Sequence, residues 1–107
     1  MWKKTSPSLK NVNFPIGADP NGSVGRKYGV WDPKSGHERR GHFIINPDGV
    51  IQVVEFMVDP LGRNFDELIR KIQGLKAIKE NPGKACPADW MPGKPMINIG
   101  KEYIGEY

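Results

Sequence analysis

The sequence predicts an α/β fold, and one that forms part of a larger α/β unit. Three observations carry this expectation. Residues 43–56 have the pattern of a β-hairpin, with a short apolar run, a turn and a run rich in β-branched residues. Residues 64–80 have the pattern of a single amphipathic helix. The other segments supply few strands, although Phe43-Ile44-Ile45 calls for cover on both faces and neighbours on both sides, and an unpaired sheet edge is a pairing liability.

In chain order, residues 1–13 are polar. Ser6-Pro7 suits a helix start with Pro at the first helical position, and Leu9 and Val12, three apart, suit a core-facing pair. Trp2 reads as the end of a helix that begins earlier. Phe14-Pro15-Ile16-Gly17-Ala18-Asp19 is a short strand candidate, with Pro15 restricting it to first positions or an edge. Asp19-Pro20-Asn21-Gly22 is a turn. Ser23 to Tyr28 has room for one or two helical turns, stopped by Gly29. Val30-Trp31 leads into a loop, Asp32 to Glu38, that delivers the chain to the hairpin. In the hairpin turn, Pro47 fixes φ, Asp48 can bond its own backbone and Gly49 takes positive φ. Val50 to Phe56 returns as the second strand. Met57 to Gly62 is a loop. Asn64 caps the next helix, with Glu67 placed to bond back to it. Phe65, Leu68, Ile69, Ile72 and Leu75 form its apolar stripe, which is expected to lie on a face of the hairpin sheet. Asn81-Pro82-Gly83 ends the helix. Residues 84–107, with Pro87, Pro92, Gly93 and Pro95, form an arm or extended tail. The expected division is therefore 1–83 and 84–107.

At 107 residues the chain is at most one small domain, and its 37% hydrophobic content with 13 Gly and 10 Pro is globular but rich in loops. No apolar run approaches the ~20 residues of a membrane span. Met-Trp-Lys-Lys-Thr-Ser-Pro lacks the apolar stretch of a secretory signal, which favours the cytoplasm. One Cys excludes an internal disulfide and leaves a packed thiol, a reactive thiol or an intermolecular bridge. The net charge of +4 is scattered without a dense tract, so nucleic acid is not an expected partner. Arg39-Arg40 before the hairpin is either a solvated strand end or a place where an anion or thiolate is stabilised. His37 and His42 with one remote Cys do not make a zinc spacing, and no metal or cofactor is expected.

Taken together, FPIGADPNGSVGRKYGV, RRGHFIINPDGVIQVVEF, DPLGRNFDELIRKIQGL and ACPADWMPGK resemble, in that order, four segments of the typical 2-Cys peroxiredoxins, the family of the alkyl hydroperoxide reductase C subunit. The resemblance covers the family's C-terminal half. It implies a partial thioredoxin-like fold of strand, short helix, β-hairpin, amphipathic helix and C-terminal arm. The Pro-x-x-x-Thr-x-x-Cys loop that holds the family's peroxidatic cysteine does not occur here, so the chain alone is expected to be inactive.

The family reaction has three thiol steps: oxidation of a peroxidatic thiolate by peroxide to a sulfenic acid, condensation with a resolving thiol, and reduction of the disulfide by a thioredoxin-type donor or flavin-dependent reductase. The resemblance implies that Cys86 is the resolving cysteine. It implies that Arg40 is the arginine that favours the thiolate and donates to the peroxide oxygens. It implies that Arg63 is a second arginine near that site, orienting a carboxylate of the other half. Arg39 is outside the family pattern. Trp90, Pro92 and Gly93 match the arm, with Trp90 as its anchor. Tyr103 and Tyr107 end a tail without the adjacent Tyr-Phe pair of over-oxidation-sensitive members. The implied partners are the other half of the fold, from the same gene or a separate chain, and a second copy paired through strand Val50–Phe56. A selenocysteine codon read as a stop is one way the two halves become separated. The competing reading is a non-catalytic interaction or oligomerisation module.

Overall fold

The computed structural model describes residues 2–106. The side chain of Trp2, and Tyr107, lie outside the described residues. The elements are α1 (Trp2–Thr5), a 3-10 turn (Pro7–Leu9), α2 (Ser23–Tyr28), β1 (Trp31–Asp32), β2 (His37–Glu38), β3 (Gly41–Ile45), β4 (Ile51–Phe56), α3 (Phe65–Glu80), β5 (Lys84–Ala85), β6 (Ile97–Asn98) and a second 3-10 turn (Lys101–Tyr103). Contacts divide the chain into two compact units: Met1–Gly41 with Phe56–Val58, and His42–Glu55 with Asp59–Tyr107.

In the first unit, Ser6 stands at the N-cap of a single 3-10 turn with Pro7 inside it, and Leu9 and Val12 are half-buried. Phe14 to Asp19 is not a strand. Pro15 removes a ladder donor, no neighbouring strand pairs with the segment among the described residues, and Phe14 and Ile16 stay exposed. Asp19 instead organises α2. Its carboxylate accepts from the backbone N–H of Gly25 at 2.7 Å and Val24 at 3.0 Å, and from Ser23 Oγ at 3.1 Å. These bonds, led by that from Gly25, hold its pKa below the ordinary aspartate value. Gly22 and Gly29 bracket the helix in left-handed conformations at φ 66° and 73°. Gly22 lies against the Trp31 ring, and the Arg26 guanidinium stands 4.9 Å from that ring's centroid. The expected loop 32–38 contains a small antiparallel ladder, Trp31 opposite Glu38 and Asp32 opposite His37. Lys34 N–H donates to Asp32 Oδ1 and Gly36 N–H to the Asp32 carbonyl, so Asp32 closes its own turn.

In the second unit, β3 and β4 pair as a two-stranded sheet. The turn residue that bonds the backbone is Asn46, one place before the Pro-Asp-Gly signal. Its Oδ1 accepts from Asp48 N–H at 3.0 Å and Val50 N–H at 2.9 Å, and Gly49 takes φ 79°. Phe43 and Ile44 are only half-buried and Ile45 is exposed, so the expected two-sided cover of β3 is not present. Helix α3 begins on Asn64, whose side chain accepts from Glu67 N–H at 3.1 Å. The reciprocal half of the capping box is absent, because the Glu67 carboxylate is taken by Arg70 at 2.6 and 2.8 Å. An ionic, two-point pair outcompetes a neutral backbone donor. The helix is tied to the hairpin by Lys71 Nζ, 3.1 Å from Glu55 Oε2. Further along, an open groove of about 820 Å³ separates the two, lined by Ile44 and Ile45 from the hairpin and Ile72, Leu75 and Ile78 from the helix. The apolar stripe thus flanks the hairpin without closing on it. Asn81 ends α3, its side-chain amide donating to the Ala77 carbonyl at 2.9 Å.

Residues 84–106 are more structured than an extended tail. β5 and β6 pair antiparallel, Lys84 opposite Asn98 and Ala85 opposite Ile97, and Ile99 N–H bonds the Gly83 carbonyl. The residues between them form a closed loop whose anchor is Trp90, 5% exposed.

Candidate active site

Arg40 closes the run that leads into β3 and belongs to the first unit. Its backbone carbonyl accepts from Met57 N–H at 2.9 Å, which pins it at the open end of the hairpin. The side chain is half-buried. Its Nε is shielded from solvent and has no hydrogen-bond partner among the described residues. A shielded guanidinium donor without an acceptor is costly and calls for one. Arg39 is the opposite case: two-thirds exposed, 3.8 Å from Asp32, a loose surface pair.

Arg63 and Cys86 belong to the second unit. Arg63 stands directly before the Asn64 cap of α3 and is half-buried. Cys86 is a free, half-buried thiol following β5. Its Sγ faces α3, 3.8 Å from the Gly74 carbonyl. Gly74 is fully buried, with Cys86 Sγ and the Trp90 ring over it. Trp90 Nε1 donates to the Lys94 carbonyl at 3.0 Å. Arg70 Nη1 donates to the Trp90 carbonyl at 2.9 Å while its other nitrogens hold Glu67. The Arg70 pKa is raised, first by the hydrogen bonds to Glu67 and further by the negative charges of Glu67 and Asp89.

Cys86 Sγ and the Trp90 ring thus share Gly74, and Arg70 holds the Trp90 carbonyl. Of these, Trp90 was expected as the arm's anchor. Arg70 and Gly74 carry no motif, and their only sequence signal is their place in α3 three and seven residues after Glu67. His42 Nε2 lies 3.1 Å from Glu55 Oε2, but the ring is not aligned for a hydrogen bond, and Glu55 is the carboxylate shared with Lys71. His37 Nδ1 lies 3.1 Å from the Glu38 carbonyl, on the exposed strand β2.

Residues 2–54 match the AhpC/TSA family, and residues 74–104 match the C-terminal domain of 1-Cys peroxiredoxin. A selenocysteine-containing peroxiredoxin of Peptoclostridium acidaminophilum is 42% identical over 98% of this chain and 54% of its own length. Alkyl hydroperoxide reductase C of Bacillus subtilis is 32% identical over 98% of this chain and 56% of its own. The chain belongs to the peroxiredoxin family. The reduced 2-Cys peroxiredoxin of Plasmodium vivax superposes with a TM-score of 0.84 at 27% identity, covering 94% of this chain and 53% of that one. AhpC of Enterococcus faecalis gives 0.74 at 36% identity, over 80% and 52%. The fold is therefore the α/β, thioredoxin-like fold of the family, and the chain spans about half the length of the curated relatives it matches, their C-terminal half.

Proposed function

We propose that this chain is the C-terminal part of a thiol peroxidase acting on hydrogen peroxide and alkyl hydroperoxides, supplying Cys86 as resolving thiol and Arg40 as the guanidinium of the peroxide site. The peroxidatic group comes from the complementary half of the fold. Its thiolate attacks one peroxide oxygen, the O–O bond breaks, and the leaving alkoxide or hydroxide takes a proton. The Cys86 thiol then attacks the resulting sulfenic sulfur, a disulfide forms and water leaves. A thioredoxin-type or flavin-dependent reductase returns both thiols by exchange. Arg40 favours the attacking thiolate and the charge growing on the leaving oxygen. Arg63 orients a carboxylate of the complementary half. Residues 84–107 act as the arm that presents Cys86.

The observation that carries this reading is the state of Arg40: a half-buried guanidinium, pinned by its own backbone, with its shielded Nε lacking an acceptor among the described residues. A thiolate or peroxide oxygen is an acceptor of the right charge. The test is peroxide consumption with a thioredoxin system, by the chain alone and after mixing with the N-terminal half of an alkyl hydroperoxide reductase C. The chain alone is expected to be inactive and the mixture active. Arg40→Ala is expected to lower complemented turnover by at least about a hundredfold, and Cys86→Ser to stop disulfide formation. Turnover by the chain alone, or complemented turnover indifferent to both substitutions, overturns the reading.

The 42%-identical selenocysteine-containing relative favours one form of it, in which the peroxidatic atom is selenium. The coding DNA decides: an in-frame selenocysteine codon upstream of Met1 supports it, and its absence removes it. A second reading, an interaction module without peroxidase chemistry, is favoured by the exposed Ile51, Val54 and Phe56 on β4, a strand suited to edge pairing. It is the reading left standing when complementation restores no turnover.

A further inference from the structure

We propose that Arg70 is a positioning residue for Cys86: a clasp on α3 that holds the Cys86–Trp90 loop against the helix and sets how often the thiol is released to react. The inference rests on Cys86 being the resolving thiol. For Cys86 to attack a sulfenic sulfur, its Sγ must turn away from the helix face it occupies. The geometry shows what resists that movement.

Two features hold the loop down, and a third works against them. Arg70 makes hydrogen bonds in two directions, with Nε and Nη2 fixed on the two Glu67 oxygens at 2.6 and 2.8 Å and Nη1 reaching the Trp90 carbonyl at 2.9 Å. Glu67 orients the fork from one side, so the third bond costs little further ordering. The Trp90 ring and Cys86 Sγ rest on Gly74, which presents backbone where any other residue presents a side chain. Asp89, next to Trp90, has φ 56°, the one positive φ outside glycine among the described residues. The Trp90 carbonyl held by Arg70 follows directly on this left-handed residue, a conformation uncommon outside glycine. The clasp therefore opposes a local backbone preference, and breaking it lets the loop relax.

The experiment reads Cys86 directly and needs no peroxide. The full chain is labelled with dithiodipyridine, whose disulfide the thiolate attacks to form a mixed disulfide and release a chromophoric thiopyridone. The labelling rate is compared with that in denaturant. The native chain is expected to be protected. Arg70→Ala is expected to raise its rate about tenfold, the scale of one charged hydrogen bond. Arg70→Lys keeps the charge and loses the fork, so it is expected to fall between the two. In a Trp31→Phe, Trp2→Phe background, Trp90 emission should shift to the red in the same order. Far-ultraviolet dichroism confirms that α3 is intact. If Arg70→Ala unfolds, Arg70→Lys decides alone. A native chain labelled at the denatured rate, or an Arg70→Lys chain labelled at the native rate with Trp90 emission unmoved, overturns the clasp. A clasped chain that fails to complement peroxide turnover overturns the peroxidase reading instead.

Discussion

Two glycines make opposite predictions because their surroundings differ. Gly74 is buried in a helix interior, and a Cβ there meets Cys86 Sγ and the Trp90 ring at 3.8 Å, ordinary contact distances. Gly74→Ala therefore gains helix propensity without a clash and should stabilise the chain by about 0.5–1 kcal/mol in urea unfolding. Gly22 has φ 66°, and a Cβ there collides with the Trp31 ring. Gly22→Ala should destabilise by more than about 1 kcal/mol, with Trp31 emission changing as its ring is displaced. At this scale the sequence was only partly legible. Gly22 stands in a recognisable Asp-Pro-Asn-Gly turn, and the turn forms. Gly74 resembles a mere weak spot in a helix until the arm is seen lying on it. The hairpin that Arg40 precedes was legible, but the residues alone left Arg40 open between a solvated strand end and an anion site. Arg70 was not legible, because its role depends on the carbonyl of Trp90, twenty residues away, and backbone carbonyls leave no mark in a residue pattern.

The elements that were legible are those whose signals are local. Helix α3 starts at its Asn cap and ends at Asn-Pro-Gly, and Asn64→Ala should cost about 1 kcal/mol and fray the first turn, read by dichroism and hydrogen exchange. The hairpin appears where β-branched residues flank a Pro-Asp-Gly turn, although Asn46 rather than Asp48 makes the turn's bonds. Phe14 to Asp19 fails as a strand because a strand needs a neighbouring strand, and none pairs with this segment among the described residues. The arm was read as extended because two-residue strands such as β5 and β6 have no periodicity to detect. Its docking also predicts a pH response. The hydrogen bonds from Arg70, followed by the charges of Arg70 and Lys71, hold the Glu67 pKa below the ordinary glutamate value. Those cations stand on α3 itself, so the contribution belongs to the folded helix and to the fork that Glu67 orients: it is fully present above the ordinary glutamate pKa and is lost as pH falls through the lowered value. Protection of Cys86 against dithiodipyridine should therefore weaken as pH drops below the ordinary glutamate range. In Glu67→Gln the protection should be weaker at neutral pH and nearly flat across that range. Parallel profiles for the two proteins would show that Glu67 does not anchor the clasp.

For the molecule as a whole, exposed apolar surface is the informative quantity: of the large hydrophobic side chains described, Val30 and Trp90 are buried, whereas Phe65, Ile69 and Ile72 on α3 and Ile51, Val54 and Phe56 on β4 are exposed. Apolar surface of this extent is not kept in water when a partner is present. The purified chain is therefore expected to bind an environment-sensitive hydrophobic dye and to associate at micromolar concentration in sedimentation. Val54→Lys tests the β4 edge separately, since a lysine on an edge strand opposes pairing with a second copy while leaving the α3 groove untouched. If that variant turns monomeric yet still binds the dye, β4 joins copies of this chain and the groove beside α3 awaits the complementary half. If the native chain sediments as a monomer and binds no dye, the exposed apolar surface is not an interface, and the complementation proposed for peroxide turnover loses its physical basis.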